Sequence, residues 1–332
     1  MTDTAMNIFV PHRPARRRKP QTPLLAVSLP ALVLAAALPA TAAAEGLRAA
    51  GGGGLYYSTD SEGFSSRRWS IDGMARYQHL DDKLGVRYTN YEFSKPGWSR
   101  SGQQLRLVAN QFDRKTLEGW SVESGMFQAA SKDLFTLDAT WRKALAPGRS
   151  YELFLNRDFV ETATAIDNGV SYDFAGAAID YQWAPKWTTV GLAGVQNFSD
   201  GNQRRHLRGR LIYQPSLDIG LTTQLRYRWY DSSKTDVGGA YFNPSRYDEI
   251  MLAVGWRQRI NNWRTAVTAG VGQQRIDAGS ATTTRLAEAS AERQMDGYAL
   301  RLRAGYTHAA SLAASDPNYW YRFAAIDLLI PF

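Results

Sequence analysis
Cysteine is absent from the 332 residues. Disulfides, thiolate metal sites, a cysteine nucleophile and an amino-terminal lipid anchor on cysteine are therefore all excluded. Histidine is scarce, with four in the chain. Beyond residue 44 no apolar run approaches the roughly 20 residues that a spanning helix needs. No glycine-rich phosphate loop and no metal-ligand spacing occurs, so no cofactor is expected. Pairs such as Gly270 and Gly272 fall inside strand-like segments, where glycine eases curvature.

An excess of charge on a nucleic-acid-binding face is also missing. The formal charge is +8, but Arg13, Arg16, Arg17, Arg18 and Lys19 stand near the amino terminus. Setting residues 1–44 aside, with those five bases and Asp3, leaves 34 bases and 30 acids. The remaining arginines are spread along the chain and do not cluster as nucleic-acid binding requires.

Residues 1–44 read as a secretory signal. A basic stretch ends at Lys19, an apolar run extends from Leu24 to Leu38, and Ala42-Ala43-Ala44 offers a small-residue cleavage site before Glu45. Pro30 and Pro39 interrupt the run, which argues against a retained helical anchor. The expected organisation is a signal peptide over 1–44 and one domain over 45–332.

What is plentiful is aromatic residues, 12% of the chain, with 10 Trp and 17 Tyr. Hydrophobic residues make up 44%, yet mean hydropathy is −0.38, so apolar and polar residues must be interleaved. The interleaving has period two. Phe135, Leu137, Ala139 and Trp141 alternate with Thr136, Asp138, Thr140 and Arg142. Leu84, Val86 and Tyr88 alternate with Arg87 and Thr89, and Leu221, Thr223, Leu225, Tyr227 and Trp229 with Gln224, Arg226 and Arg228. In a further segment Ile71, Gly73, Ala75 and Tyr77 are expected on one face, against Asp72 and Arg76. This is the half-exposed strand pattern, at the length of a tilted membrane strand.

About sixteen such segments follow one another, from 47–58 to 318–332, with the fourth at 103–113 and the eleventh at 217–231. The fold class implied is all-β, a transmembrane antiparallel up-and-down barrel in the outer membrane of a Gram-negative bacterium. If both ends of the barrel lie in the periplasm, the even-to-odd links are tight, as at Ala184-Pro185, Gln214-Pro215-Ser216 and Asn261-Asn262. Most odd-to-even links read as longer and polar: Ser94 to Gly102, Glu161 to Asn168 and Ser232 to Ser245. The link at Ser131 is a short exception. Trp120, Trp141, Trp183, Trp187 and Trp263 fall beside the tight links, and Trp69, Trp229 and Trp320 towards the other ends. Two aromatic girdles at the headgroup levels are thereby expected. Phe332 shares a face with Ile326, Leu328 and Ile330. A terminal aromatic on an alternating last strand resembles the signal read by the barrel-assembly machinery. Outer-membrane lipids and that machinery are the expected partners.

Sixteen strands leave room for an aqueous channel. The alternation assigns Arg76, Arg87, Arg106, Arg208, Arg210, Arg226, Arg228, Arg257, Arg301 and Arg303 to the lumen. Asp72, Glu123, Asp138, Glu249, Glu288, Glu292 and Asp327 would face them. Such groups either pair structurally or line a pore for sugars or ions. Tyr91, Phe127 and Tyr230 are inward aromatic candidates for stacking on sugar rings. The long link at 232–245 could fold inward as a constriction. No enzyme is expected. His79, His206 and His308 have no nucleophile motif around them, although Ser199, Asp200 and Ser311 lie nearby in sequence.

The stretch Tyr241-Phe242-Asn243-Pro244, with Tyr247 opening the alternating strand from Glu249 to Arg259, resembles the barrel domain of exopolysaccharide export porins. The poly-N-acetylglucosamine (biofilm) export porin is the family most similar. That resemblance implies an outer-membrane channel that exports a polysaccharide through its lumen. Those porins carry a helical-repeat region ahead of the barrel that this chain lacks, so the resemblance also implies a separate periplasmic repeat protein. The cargo of that family is partly cationic, whereas inward arginines here outnumber inward acids, which points to a neutral or anionic polymer. A general or anion-favouring diffusion porin, and a structural or adhesive surface barrel, remain open at this point.

Overall fold
The computed structural model describes residues 48–216, 218–308 and 319–332. The expected signal peptide lies outside the described residues. Sixteen strands form one closed antiparallel barrel. In chain order they are β1 (Arg48–Asp60), β2 (Ser65–His79), β3 (Asp82–Lys95), β4 (Trp98–Asp113), β5 (Glu118–Ala129), β6 (Lys132–Ala146), β7 (Arg149–Phe159) and β8 (Ser171–Ala184). They continue as β9 (Trp187–Phe198), β10 (Gln203–Tyr213), β11 (Leu221–Ser232), β12 (Arg246–Ile260), β13 (Trp263–Ile276), β14 (Thr282–Met295), β15 (Tyr298–His308) and β16 (Trp320–Pro331). One short helix, α1 (Ala163–Asn168), interrupts the link between β7 and β8. Each strand pairs with its sequence neighbours, and β1 closes on β16 from Ala50↔Pro331 to Asp60↔Tyr321.

Closure is what makes the structure viable in lipid. An open sheet would expose a row of unpaired N–H and C=O groups to hydrocarbon. The seam is built from the run Gly51–Gly54, and side chains are excluded at its centre. A Cβ at Gly52 would lie 2.0 Å from the Leu328 carbonyl oxygen, and one at Gly53 2.1 Å from that of Ser70. The strands on either side could not approach a larger residue as they do.

The outer face carries the apolar set. Leu55, Ile71, Leu107, Met126 and Phe135 are all at least half exposed, where a soluble protein would hide them. Their cross-strand partners are also outward, for example Ile71↔Tyr88 and Met126↔Phe135. The tryptophans follow. Trp69, Trp120, Trp141, Trp183 and Trp256 are prominent on this surface, and Trp183 stacks on Trp187 at 5.7 Å. Trp98 alone joins an internal cluster, beside Phe64 and Phe93. The closed barrel, the apolar outer band and the aromatic rims place the chain in the outer membrane.

A charge on that band should be costly. Ile71→Arg is expected to lose about 2–4 kcal/mol of folding free energy in phospholipid vesicles. Ser70→Arg, one step along and facing the lumen, should lose far less. Equal losses in denaturant titrations of the two variants would contradict the assignment of faces.

Three details depart from the sequence reading. The link expected over Ser94 to Gly102 is a tight turn at Pro96-Gly97, with Gly97 at φ 77°. β3 and β4 run past the apolar band into water, so outward residues such as Glu92 and Ser101 are polar and mimic a loop. The β5–β6 turn, the short exception that the sequence indicates, is Ala130-Ser131, both in the left-handed region. Conversely, the β10–β11 link is long, because β11 begins at Leu221. Gly220 (φ 64°) leads into it, and a Cβ there would meet the Arg257 carbonyl oxygen at 1.6 Å. Finally, the register between β2 and β3 shifts between Met74 and Arg76. This bulge flips the alternation, so Tyr77 is buried inside, not outside with Ile71. Arg76 now stands opposite outward Leu84 and pairs with Asp82 at 3.0 Å near the rim. Its expected place in the lumen is corrected accordingly.

Candidate functional site: the barrel lumen
The remaining lumen residues follow the strand period. Register partners share a face, and one wall of the lumen is a lattice of paired charges. Arg87 donates from Nε and one terminal nitrogen to the two carboxylate oxygens of Asp72, at 2.6 and 2.9 Å. Arg106 bridges Glu123 and Asp158, both at 3.3 Å. Asn156 donates to Asp138 at 3.1 Å. On the other walls Arg228 meets Glu249 at 3.1 Å, Arg301 meets Glu292 at 2.9 Å and Arg303 meets Asp327 at 3.1 Å. Arg226 donates to Gln224 at 3.0 Å. Arg257 and Glu288 also face inward by register, opposite Ala266 and Gly305 respectively.

Both mouths are narrowed by inward-folded links. At the rim opposite the termini, the β7–β8 and β11–β12 links meet inside the barrel. Thr162 caps α1 by accepting from the Ala165 N–H at 3.1 Å. Its own hydroxyl donates to the Ala240 carbonyl on the other link. Gly169, at φ 68°, ends the helix in the left-handed conformation that glycine tolerates best. Val160, Ala165 and Val170 then pack with Phe198, Ala240 and Tyr241 in one buried cluster. Ile166 enters a second cluster with Tyr91, Phe93, Phe127 and Phe159. Trp98 donates to Asp167 at 2.9 Å and Arg100 pairs with it at 2.7 Å, tying the helix to β4.

The stretch Tyr241-Phe242-Asn243 is what seats the second link. Asn202 donates to the Tyr241 hydroxyl at 3.0 Å and to Asn243 Oδ1 at 2.8 Å. Arg204 donates to the Phe242 carbonyl at 2.6 Å while its guanidinium lies over Phe198, Tyr230 and Tyr241. Asn243 in turn donates to the Lys234 carbonyl at 2.8 Å, closing the base of the loop. Tyr241 stacks on Phe198 at 4.4 Å and 12° and donates to Asp200 at 2.9 Å. Burial pushes the Tyr241 hydroxyl well above its ordinary value, and the neighbouring Asp200 adds to this, so it stays a donor. Tyr247 stacks on Tyr230 at 4.7 Å, accepts from Arg228 at 2.8 Å and donates to Glu249 at 3.1 Å.

This seating changes the role of three aromatic candidates. Tyr91, Phe127 and Tyr230 do point inward, but they are buried beneath the two links. Tyr91 and Phe127 pack at 4.4 Å with each other. They support the mouth and present no open ring face to a sugar. His206 is likewise absorbed: it bonds to Gln196 at 3.1 Å and packs on Phe174 and Tyr230. Among the described residues it has no serine partner.

The rim carrying the termini is narrowed differently. An internal apolar cluster of Met74, Tyr77, Leu80, Val108, Ala299 and Leu329 fills part of it. Arg114, in the β4–β5 turn, reaches across to Glu292 on β14 at 3.0 and 3.3 Å and also pairs with Asp81. A cleft of about 620 Å³ remains beside this turn, lined by Lys115, Arg259 and Asn262 among others. The sequence pattern did not single out Asn202, Arg204 or Arg114. Asn202 and Arg114 lie in links, where period two carries no information. Arg204 lies on an inward strand position that the alternation could have found.

The outward row Ile326, Leu328, Ile330 and Phe332 is where the alternation put it, and Phe332 is 80% exposed. Its N–H bonds to the Ala49 carbonyl at 2.9 Å, next to the seam.

These features define a sixteen-stranded outer-membrane β-barrel with a polar, charge-lined lumen. No family model and no curated protein matches the chain. Among solved structures, the chain resembles one described as a bacterial polysaccharide outer membrane secretin. The TM-score is 0.65 at 12% identity, over 86% of this chain and 98% of that one. The outer membrane protein OprD from Pseudomonas aeruginosa aligns with a TM-score of 0.44 at 11% identity, over 87% of this chain and 94% of that one.

Proposed function
We propose that this barrel is a channel that carries a secreted polysaccharide across the outer membrane. The observation that supports this reading most is the coincidence of two features. The whole barrel has the shape of the polysaccharide secretin. The Tyr241-Phe242-Asn243-Pro244 stretch, by which the sequence resembles exopolysaccharide export porins, is the segment wedged into the mouth. In the periplasm the chain would work with a separate repeat protein that delivers the polymer. Its last strand, ending Ile326, Leu328, Ile330, Phe332, would engage the barrel-assembly machinery. The barrel acts by conduction and not by bond-making chemistry.

The test is genetic and chemical. Deleting the gene should abolish the surface polymer while precursor persists inside the cell, and a plasmid copy should restore it. Normal surface polymer in the deletion strain would discard the reading. A diffusion porin is the second reading, supported by the charged groups along the lumen wall. It would show large, steady open steps in planar bilayers without any partner, whereas an exporter with both mouths narrowed should conduct little.

A further inference from the structure
Almost every lumen arginine named above meets an acid or a polar acceptor, and one pair does not. Arg208 and Arg210 sit on β10, in register with Leu192 and Val190 on β9. On the other side they stand directly opposite Arg228 and Arg226 on β11. Four guanidinium-bearing residues thus occupy two consecutive rungs of two adjacent strands. Rungs on one face are spaced by about 6.6–6.8 Å along a strand and about 4.8 Å across. Among the described residues, no carboxylate lies within 4.0 Å of Arg208 or Arg210. The Nε of Arg208 is buried and has no hydrogen-bond partner.

Like charges placed directly opposite one another repel. A buried donor with no acceptor adds a desolvation cost. The rest of this lumen shows the usual remedy, which is an acid on the neighbouring strand: Asp72 for Arg87, Glu123 for Arg106, Asp327 for Arg303. Here the neighbours on β9 are apolar and those on β11 are basic. Beyond β11, Glu249 on β12 is taken up by Arg228, and the inward residues that follow it are Met251, Ala253 and Gly255. The Arg208 and Arg210 guanidiniums therefore find no carboxylate of their own on either neighbouring strand.

From this we infer that the β10–β11 arginine block is a binding site for a polyanionic chain, whose acidic groups supply the acceptors that Arg208 and Arg210 lack. Planar guanidiniums match carboxylates two bonds at a time, and repeated rungs suit a polymer with repeated acidic groups. The inference deepens the export reading and rests on it for the cargo's identity. The site itself can be tested without it.

The experiment uses the full barrel in planar bilayers, with polygalacturonate as the anionic probe. Neutral dextran and chitosan oligomers of similar length serve as comparisons. Polygalacturonate should block the residual current at far lower concentration than either comparison, and the block should weaken as salt rises. In Arg208→Gln/Arg210→Gln the blocking concentration should rise at least about tenfold. Arg208→Lys/Arg210→Lys, which keeps the charge, should retain most of the block and guards against a folding artefact. Equal block by dextran or chitosan, or an unchanged Gln variant, would overturn the site. A neutral surface polymer that still depends on the gene would overturn the anionic cargo while leaving the export reading intact.

Discussion
Replacing residues 235–242 by two glycines should raise the single-channel conductance several-fold. The excision is geometrically mild, because Asn243 already bonds to the Lys234 carbonyl at 2.8 Å. The ends of the excised piece are therefore neighbours before it is removed. What goes with it is Ala240, Tyr241 and Phe242, which pack inside the barrel against Val160, Ala165 and Phe198. The β7–β8 link loses its ceiling at the same time, since Thr162 donates to Ala240. Two obstructions are then released by one change. Bilayer recordings of purified barrel would show it. Unchanged conductance would mean that the passage is set elsewhere, at the Arg114 bridge across the other mouth. Arg204→Ala tests the same idea more gently. It removes the donor to the Phe242 carbonyl and the cation between three rings. The seated loop should then leave its place intermittently, seen as flickering current.

Asp72→Ala should cost about 3 kcal/mol of folding free energy, and adding Arg87→Met should recover most of it. The pair is bidentate, and the Asp72 side chain keeps only 1% of its surface exposed against 21% for Arg87. Removing the acid alone strands a guanidinium between Gly85 and Thr89 on the inner wall. Stranding one member of a buried pair costs about 3–5 kcal/mol, and the partial exposure of Arg87 puts the value at the low end. Removing both replaces a desolvated pair with packing, which is commonly near neutral. Guanidinium titrations in vesicles, followed by tryptophan emission, give both numbers. Equal losses for the single and double variants would show that packing, not charge, is what Asp72 supplies.

The barrel was legible in the sequence because its signal is simple. Period two with an apolar outer set needs only the two faces to differ in polarity, and they do from Leu55 to Ile330. The lumen lattice came with it, since every second residue of a strand is inward by geometry. The errors arise where geometry departs from that rule. A bulge costs one residue and reverses the faces, which is why Tyr77 and Arg76 were misplaced. Strand ends that rise above the lipid lose the apolar set and read as loop, which hid the start of β4. α1 has six residues, too few for any helical period to show. The roles of Tyr91, Phe127 and Tyr230 depend on what covers them, and for Tyr91 and Phe127 the covering residues Phe159 and Ile166 come from 30 or more residues away. Alternation gives their direction but not their neighbours.

Nine of the ten indoles stand on the hydrocarbon side of the wall, and Trp98 does not. Lipids with brominated tails quench only emitters they can touch, so in such vesicles most of the fluorescence would vanish. The light that survives would come from the single ring bonded to Asp167 on α1. The molecule thus carries an intrinsic optical probe of whether its own mouth is shut.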